Sequence, residues 1–248
     1  MKLLLSCMVC QKEHGKPSFE LMMVEYRDDG RYESTCSKGH TQTTLLQEQK
    51  LELLFEIGAN AVLDGYYREA VSSFTSSLER FYEFAIKLAC AHDRMSDDIY
   101  SDCWKSVSNQ SERQLGAYIF LWGAHIKSRP MLLKNKDVSF RNAVIHKGKI
   151  PTKEEAQSYG AKVYDLIVSS LAQIRATPLK DSIVIVVDNH LRETRGDSGA
   201  ENEVFISSST IISLSASPDE HYNKSLDEHL TALDKRRNMY TNFGITKP

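Results

Sequence analysis

Between Leu54 and Ile174, apolar residues recur three and four positions apart, the spacing that gathers them on one side of an α-helix. Leu54, Ile57 and Ala61 mark the inward face of a first helix, which Gly65 ends. Ala70, Phe74, Leu78, Phe81, Ala85 and Leu88 form one stripe of a second helix that runs to about His92. The polar stretch from Ser96 to Asn109 reads as a loop or short helix. Leu115, Tyr118, Ile119, Trp122 and Ile126 then give a third helix, which must end before Pro130. Val138, Phe140, Val144 and Ile145 outline a short amphipathic helix with Asp137 as its N-cap and Gly148 and Pro151 as its stop. Thr152-Lys-Glu-Glu155 is a capping box that opens another helix, carried on by Ala156, Tyr159, Val163, Leu166, Ser170 and Ile174. These helices suffice for an antiparallel bundle.

On either side of the bundle the period changes. Phe19–Tyr26 and Arg31–Thr35 read as two strands joined by the hairpin signal Asp28-Asp29-Gly30. Ser182–Val187 and Val204–Leu214 are β-branched runs on either side of the polar tip Arg195-Gly-Asp-Ser-Gly199, the pattern of a second hairpin. Ser217-Pro218-Asp-Glu220 has helix-start chemistry, and Leu226, Leu230 and Leu233 mark a last amphipathic helix ending in Lys235-Arg236-Arg237. The expected architecture is mainly α, in three parts. They are a small β module over residues 1–43, a helical bundle over 44–178, and a hairpin-plus-helix extension over 179–248.

The first part carries cysteine chemistry. Cys7-Met-Val-Cys10 and Cys36-Ser-Lys-Gly-His40 are two knuckles, each able to present a pair of ligands to one ion from a single tight turn, with Gly39 relieving the second. Two knuckles and a hairpin make a zinc ribbon. Cys7, Cys10, Cys36 and His40 are the preferred ligands of a structural Zn2+, with His14 as the competing fifth residue. Four protein ligands leave no place for water, so the site is structural. Cys90 and Cys103 fall in helical sequence and read as small core residues.

Composition adds bounds. A chain of 248 residues, 41% hydrophobic and 26% charged, is long enough to bury a core. The formal net charge of −2 excludes a polycation, so nucleic-acid contact needs a local patch. Such a patch exists: Lys127, Arg129, Lys134, Lys136, Arg141, Lys147 and Lys149 face a single acid, Asp137. This one-sided charge favours an anionic partner. The leucine run at the N-terminus is too short for an export signal and no window is apolar enough for a membrane span, so a cytoplasmic protein without membrane attachment is expected.

Within that patch, Arg141-Asn142-Ala-Val-Ile-His146 is followed by Gly148-Lys-Ile-Pro151-Thr152, and this resembles the signature of the HEPN domain family of helical nucleases. The resemblance reaches back to Gly65-Tyr-Tyr-Arg-Glu-Ala70, Phe74, Leu78 and Glu79, covering roughly residues 45 to 176. It implies an antiparallel HEPN-like bundle acting as a metal-independent endoribonuclease, with no catalytic metal. Two copies would pair so that Arg141 and His146 of each build one composite cleft at a homodimer interface. Asn142 would orient the phosphate or the histidine, and Glu79 would hold Arg141, while Lys136, Lys147 and Lys149 bind the RNA substrate. Family members of this arrangement act as toxins or in antiphage abortive infection, which implies an antitoxin or a phage-derived trigger as partner. The long C-terminal extension is not part of the family core. The alternatives are a non-catalytic HEPN module that binds nucleotide or RNA, and a zinc-ribbon nucleic-acid adaptor.

Overall fold

A computed structural model describes residues 2–16, 21–196, 199, 202–216 and 222–242. The protein is mainly helical with small sheets. The elements are β1 (Lys2–Ser6), α1 (Met8–His14), β2 (Leu21–Glu25), β3 (Arg31–Thr35), β4 (Thr41–Leu46), α2 (Lys50–Leu63), α3 (Tyr67–His92), α4 (Asp97–Val107) and α5 (Ser111–Ile126). They continue with α6 (Asn135–Lys147), α7 (Lys153–Arg175), α8 (Lys180–Arg195), β5 (Glu203–Ile206) and α9 (Leu226–Asn242). Contacts divide the chain into two compact units. One comprises Met1–Glu48, Val187–Ser209 and Ala232–Pro248, the other Gln49–Val186 and Thr210–Thr231. Among the described residues no helix is long and apolar enough to cross a membrane.

In the helical unit, α3 is the central member and packs on α2, α5, α6 and α7. Its expected stripe, from Ala70 through Leu88, is buried throughout, as is that of α7 from Ala156 to Ile174. The two helices flanking Phe74 come unusually close to it. A Cβ added at Gly58 would lie 2.7 Å from its ring, and one at Gly160 2.5 Å, so only glycine admits the ring between α2 and α7.

The face of α2 differs from expectation. Leu54, Ile57 and Ala61 are only half-buried, whereas Leu51, Phe55, Ala59 and Val62 are buried together with Glu52, Glu56 and Asn60. The physical reason is a set of backbone amides that the sequence pattern does not reveal. Glu52 Oε1 accepts from the Leu214 N–H at 2.8 Å, and Glu56 Oε2 from the Ile211 N–H at 3.1 Å. Buried carboxylates are tolerable where they satisfy otherwise unpaired donors.

Other boundaries also shift. The polar stretch after Ser96 forms α4. Helix α6 begins one turn early, with Lys134 as N-cap; Asp137 is instead buried in the first turn, where its Oδ1 accepts from Lys162 Nζ at 2.6 Å. Gly148, with φ +72°, ends α6 as expected, and Thr152 and Glu155 cap α7 reciprocally. Cys90 is buried, but Cys103 is exposed on α4.

The expected C-terminal hairpin does not form. Ser182–Val187 is helical, within α8, and only Leu179, Ser182 and Val186 are buried there, three and four positions apart. A continuous β-branched run fits either period, and here the packing follows the helical one. Of the second run, only Glu203–Ile206 is a strand. The Ser217–Glu220 start signal lies outside the described residues; α9 instead opens at Ser225, whose hydroxyl and amide pair with the Glu228 backbone and carboxylate.

The other unit holds two small sheets. β1 pairs antiparallel with β2, Lys2 opposite Glu25, and β3 with β4, Arg31 opposite Leu45. β5 adds in parallel on the far edge of β4, Thr43 opposite Glu203. The strands flanking Asp28-Asp29-Gly30 therefore do not pair with each other. The unread partner is Lys2–Ser6, where Leu3 and Leu5 are buried opposite Val24 and Met22. Phe19 and Glu20 lie outside the described residues.

Candidate functional site

Two constellations carry chemistry, one in each unit. The first is the cysteine cluster. Cys7 caps α1, its Sγ accepting the Cys10 N–H at 3.5 Å, so the helix start itself brings Cys10 back beside Cys7. The turn between β3 and β4 supplies the other pair. There the Cys36 N–H donates to the His40 carbonyl at 3.0 Å, and Gly39, at φ +84°, closes the loop on the Cys36 carbonyl at 2.9 Å. The four ligand atoms lie within 4.8 Å of one another and could hold a metal ion. Cys10 Sγ is 3.8 Å from Cys36 Sγ and 3.2 Å from His40 Nδ1, and Cys7 Sγ is 3.9 Å from His40 Nδ1.

His14 is outside this group, its Nε2 receiving Lys38 Nζ at 2.8 Å. Burial and neighbouring sulfurs push Cys10 up to about 12. For Cys36, burial is the largest influence, but hydrogen bonds from the His40 and Lys38 amides and from the Cys7 and Cys10 thiols together outweigh it and bring the thiol below its ordinary value.

Two supporting residues were not read from the sequence. Gln42 is fully buried and ties both knuckles together, its Oε1 accepting the Met8 N–H at 2.8 Å and its Nε2 donating to the Ser6 carbonyl at 3.0 Å. Glu13 Oε1 stands 3.4 Å from His40 Nε2, on the ring nitrogen away from the sulfurs. The only sequence signal for Glu13 is its position one turn beyond Cys10 on α1.

The second constellation surrounds α6. Arg141 is half-buried, and its Nε is shielded from solvent with no hydrogen-bond partner. The charges of Arg141 and of Glu79, from α3, both act on the buried phenols Tyr82 and Tyr159. Burial dominates there: it pushes Tyr82 well up and Tyr159 to about 12, so both stay protonated at neutral pH. Tyr159 Oη is 2.9 Å from Thr75 Oγ1 and its ring packs 5.7 Å from Phe140. The family resemblance placed Glu79 with Arg141, but sequence reasoning missed the two tyrosines: Tyr159 read only as core, and Tyr82 was not singled out.

His146 is exposed in the last turn of α6, and Asn142 is half-buried. Residues five apart are about 140° apart around an ideal helix, so Arg141 and His146 present on different faces. Lys136 and Lys147 are exposed. Lys149 is engaged within the chain, 2.6 Å from Glu155 Oε1 and 4.8 Å over the Phe140 ring. No family model, no curated protein and no solved structure matches this chain.

Proposed function

We propose that the protein is a metal-independent endoribonuclease of the HEPN type, whose Arg141 and His146 complete a cleft with those of a second copy. The observation that carries this reading is Arg141 itself. A guanidinium is held half-buried on a helix of thirteen residues, close enough for its charge to act on two neutral phenols, with Nε unpaired. A buried donor without a partner is costly, and an arriving phosphate would satisfy it. His146 follows in the exposed last turn, next to the exposed Lys147.

RNA brings its own nucleophile. In this mechanism an imidazole takes the 2′-hydroxyl proton, the O2′–P bond forms, and the P–O5′ bond breaks as a second imidazole protonates the leaving oxygen. The products are a 2′,3′-cyclic phosphate and a 5′-hydroxyl. The single motif histidine, His146, cannot be acid and base at once, which favours a pair of chains. Arg141 neutralises the charge growing on the phosphorane, Glu79 orients Arg141, and Asn142 orients the phosphate or the histidine. A role as toxin or antiphage effector, held in check by an antitoxin or released by a phage-derived trigger, extends the same reading.

The cysteine cluster is proposed to hold structural Zn2+. Zn–S bonds of ~2.3 Å and Zn–N bonds of ~2.0–2.1 Å at tetrahedral angles place ligand atoms ~3.6–3.8 Å apart. Three of the separations among Cys7, Cys10, Cys36 and His40, at 3.2, 3.8 and 3.9 Å, lie near that spacing, and all lie within 4.8 Å.

The test is cleavage of total RNA with a chelator present, comparing the wild type with His146→Ala. A loss of ~10²–10⁴-fold is expected, the usual worth of a general acid or base. Equal cleavage by both proteins removes the catalytic claim. Retained RNA binding without scission in the wild type favours the non-catalytic module, and loss of binding on deleting residues 1–43 favours the adaptor.

A further inference from the structure

Helices α3 and α5 run in the same direction. Tyr82 of α3 packs against Tyr118 of α5 at 4.6 Å, and ten residues further along α3 and seven along α5, His92 meets His125 at 5.6 Å. Their C-termini therefore converge, and each terminus ends in an unusual way. Arg94 (φ +56°) and Lys127 (φ +61°) are left-handed residues without being glycine. Two carbonyl ends with their partial negative charge meet at one place on the surface of the bundle, an environment that favours a cation.

Three ligand-bearing side chains are gathered at that place. His125 Nε2 is 3.2 Å from Asp93 Oδ2, and the His92 ring stands edge-on to His125 at 88°. One ligand atom from each of the three lies within 4.8 Å of the others. The ordinary reading is a His–Asp ion pair, which needs only two of them. It leaves His92 unexplained, since this imidazole touches His125 and makes no hydrogen bond among the described residues.

We propose that His92, Asp93 and His125 form a second metal site, taking a borderline divalent ion such as Zn2+, Ni2+ or Cu2+. Two imidazoles and one carboxylate suit those ions and not Mg2+ or Ca2+, which prefer all-oxygen shells. Bonds of ~2.0–2.2 Å separate neighbouring ligands by ~2.8–3.6 Å, from right-angled to tetrahedral arrangements. The Asp93–His125 pair already meets that spacing at 3.2 Å, and His92, being exposed, is free to swing in. Three protein ligands leave at least one coordination position for water or an exogenous donor. The ion would also clamp the last turns of α3 and α5 together.

The site is separate from the cysteine cluster, and its test does not depend on what the cysteines bind. Native mass spectrometry of the full chain, with zinc in modest excess, counts the ions retained. The expected result is one more Zn2+ in the wild type than in His92→Gln or His125→Gln, with unchanged far-UV circular dichroism. Equal counts in the wild type and both variants overturn the proposal. Because His92 is exposed, His92→Gln leaves the core intact and is informative even if His125→Gln is less stable.

Discussion

Glu13 and Glu48 show how much a single carboxylate can do without touching substrate. His40 turns Nδ1 to the sulfurs and Glu13 Oε1 stands 3.4 Å from Nε2, where a carboxylate favours the tautomer that can ligate. Glu13→Gln is expected to weaken metal binding by about 10–100-fold, measured by competition with a chromophoric chelator. Unchanged affinity would make Glu13 a bystander. Glu48 works in the opposite sense. It is buried, with Oε1 taking the Ser207 hydroxyl and the Ser208 amide and Oε2 unpaired, and burial outweighs those bonds to hold its carboxyl above the ordinary 4.5. A group whose pKa is raised in the folded state stabilises that state at low pH and loses the contribution as pH rises through the raised value. Glu48→Gln should therefore compare most favourably with the wild type at about pH 8, the advantage shrinking towards about pH 4, as read from urea midpoints. A gap that widens in acid would contradict this.

At the scale of elements, the close approach of α2, α3 and α7 gives a sharp prediction. Alanine in place of a helical glycine gains about 0.5–1 kcal/mol from propensity alone. At Gly160 the added methyl would meet the Phe74 ring at 2.5 Å, an overpacking that typically costs about 1–3 kcal/mol. Gly160→Ala should be net destabilising, whereas Gly116→Ala or Gly123→Ala on α5, where nothing lies within 4 Å, should stabilise. Equal signs in denaturant melts would disprove the tight approach. The same elements show what the sequence could and could not disclose. Helices α3, α5 and α7 were legible because their apolar stripes face apolar neighbours, and the bounds at Gly148 and Thr152 because the chemistry there is local. Helix α2 was misread in face because Glu52 and Glu56 are buried against amides some 155 or more residues away, a partnership no local pattern encodes. Likewise β4 finds β5 across that distance, and the β-branched run of α8 takes the helical period that packing imposes. The clustering of Cys7, Cys10, Cys36 and His40 was readable from the spacing and pairing of two knuckles, but Gln42 and Glu13 were not, because a supporting contact has no motif.

At the scale of the whole molecule, the question is whether one chain suffices. Each chain offers one Arg141 and one exposed His146, and the proposed reaction needs an acid and a base in the same cleft. If two chains share that cleft, an inactive subunit poisons its partner. Wild type mixed with a ninefold excess of His146→Ala, after subunit exchange, leaves about 1% of pairs with both histidines, so cleavage should fall about tenfold below that of the same wild-type amount alone. Chains acting singly would show no such fall, because activity would simply follow the wild-type concentration. Light scattering on the same mixture supplies the mass. A monomer that cleaves RNA at full rate would place acid and base within one chain and send the search for the second proton carrier back to the phenols beside Arg141, where Tyr159, pushed up to about 12, can give a proton but not readily take one.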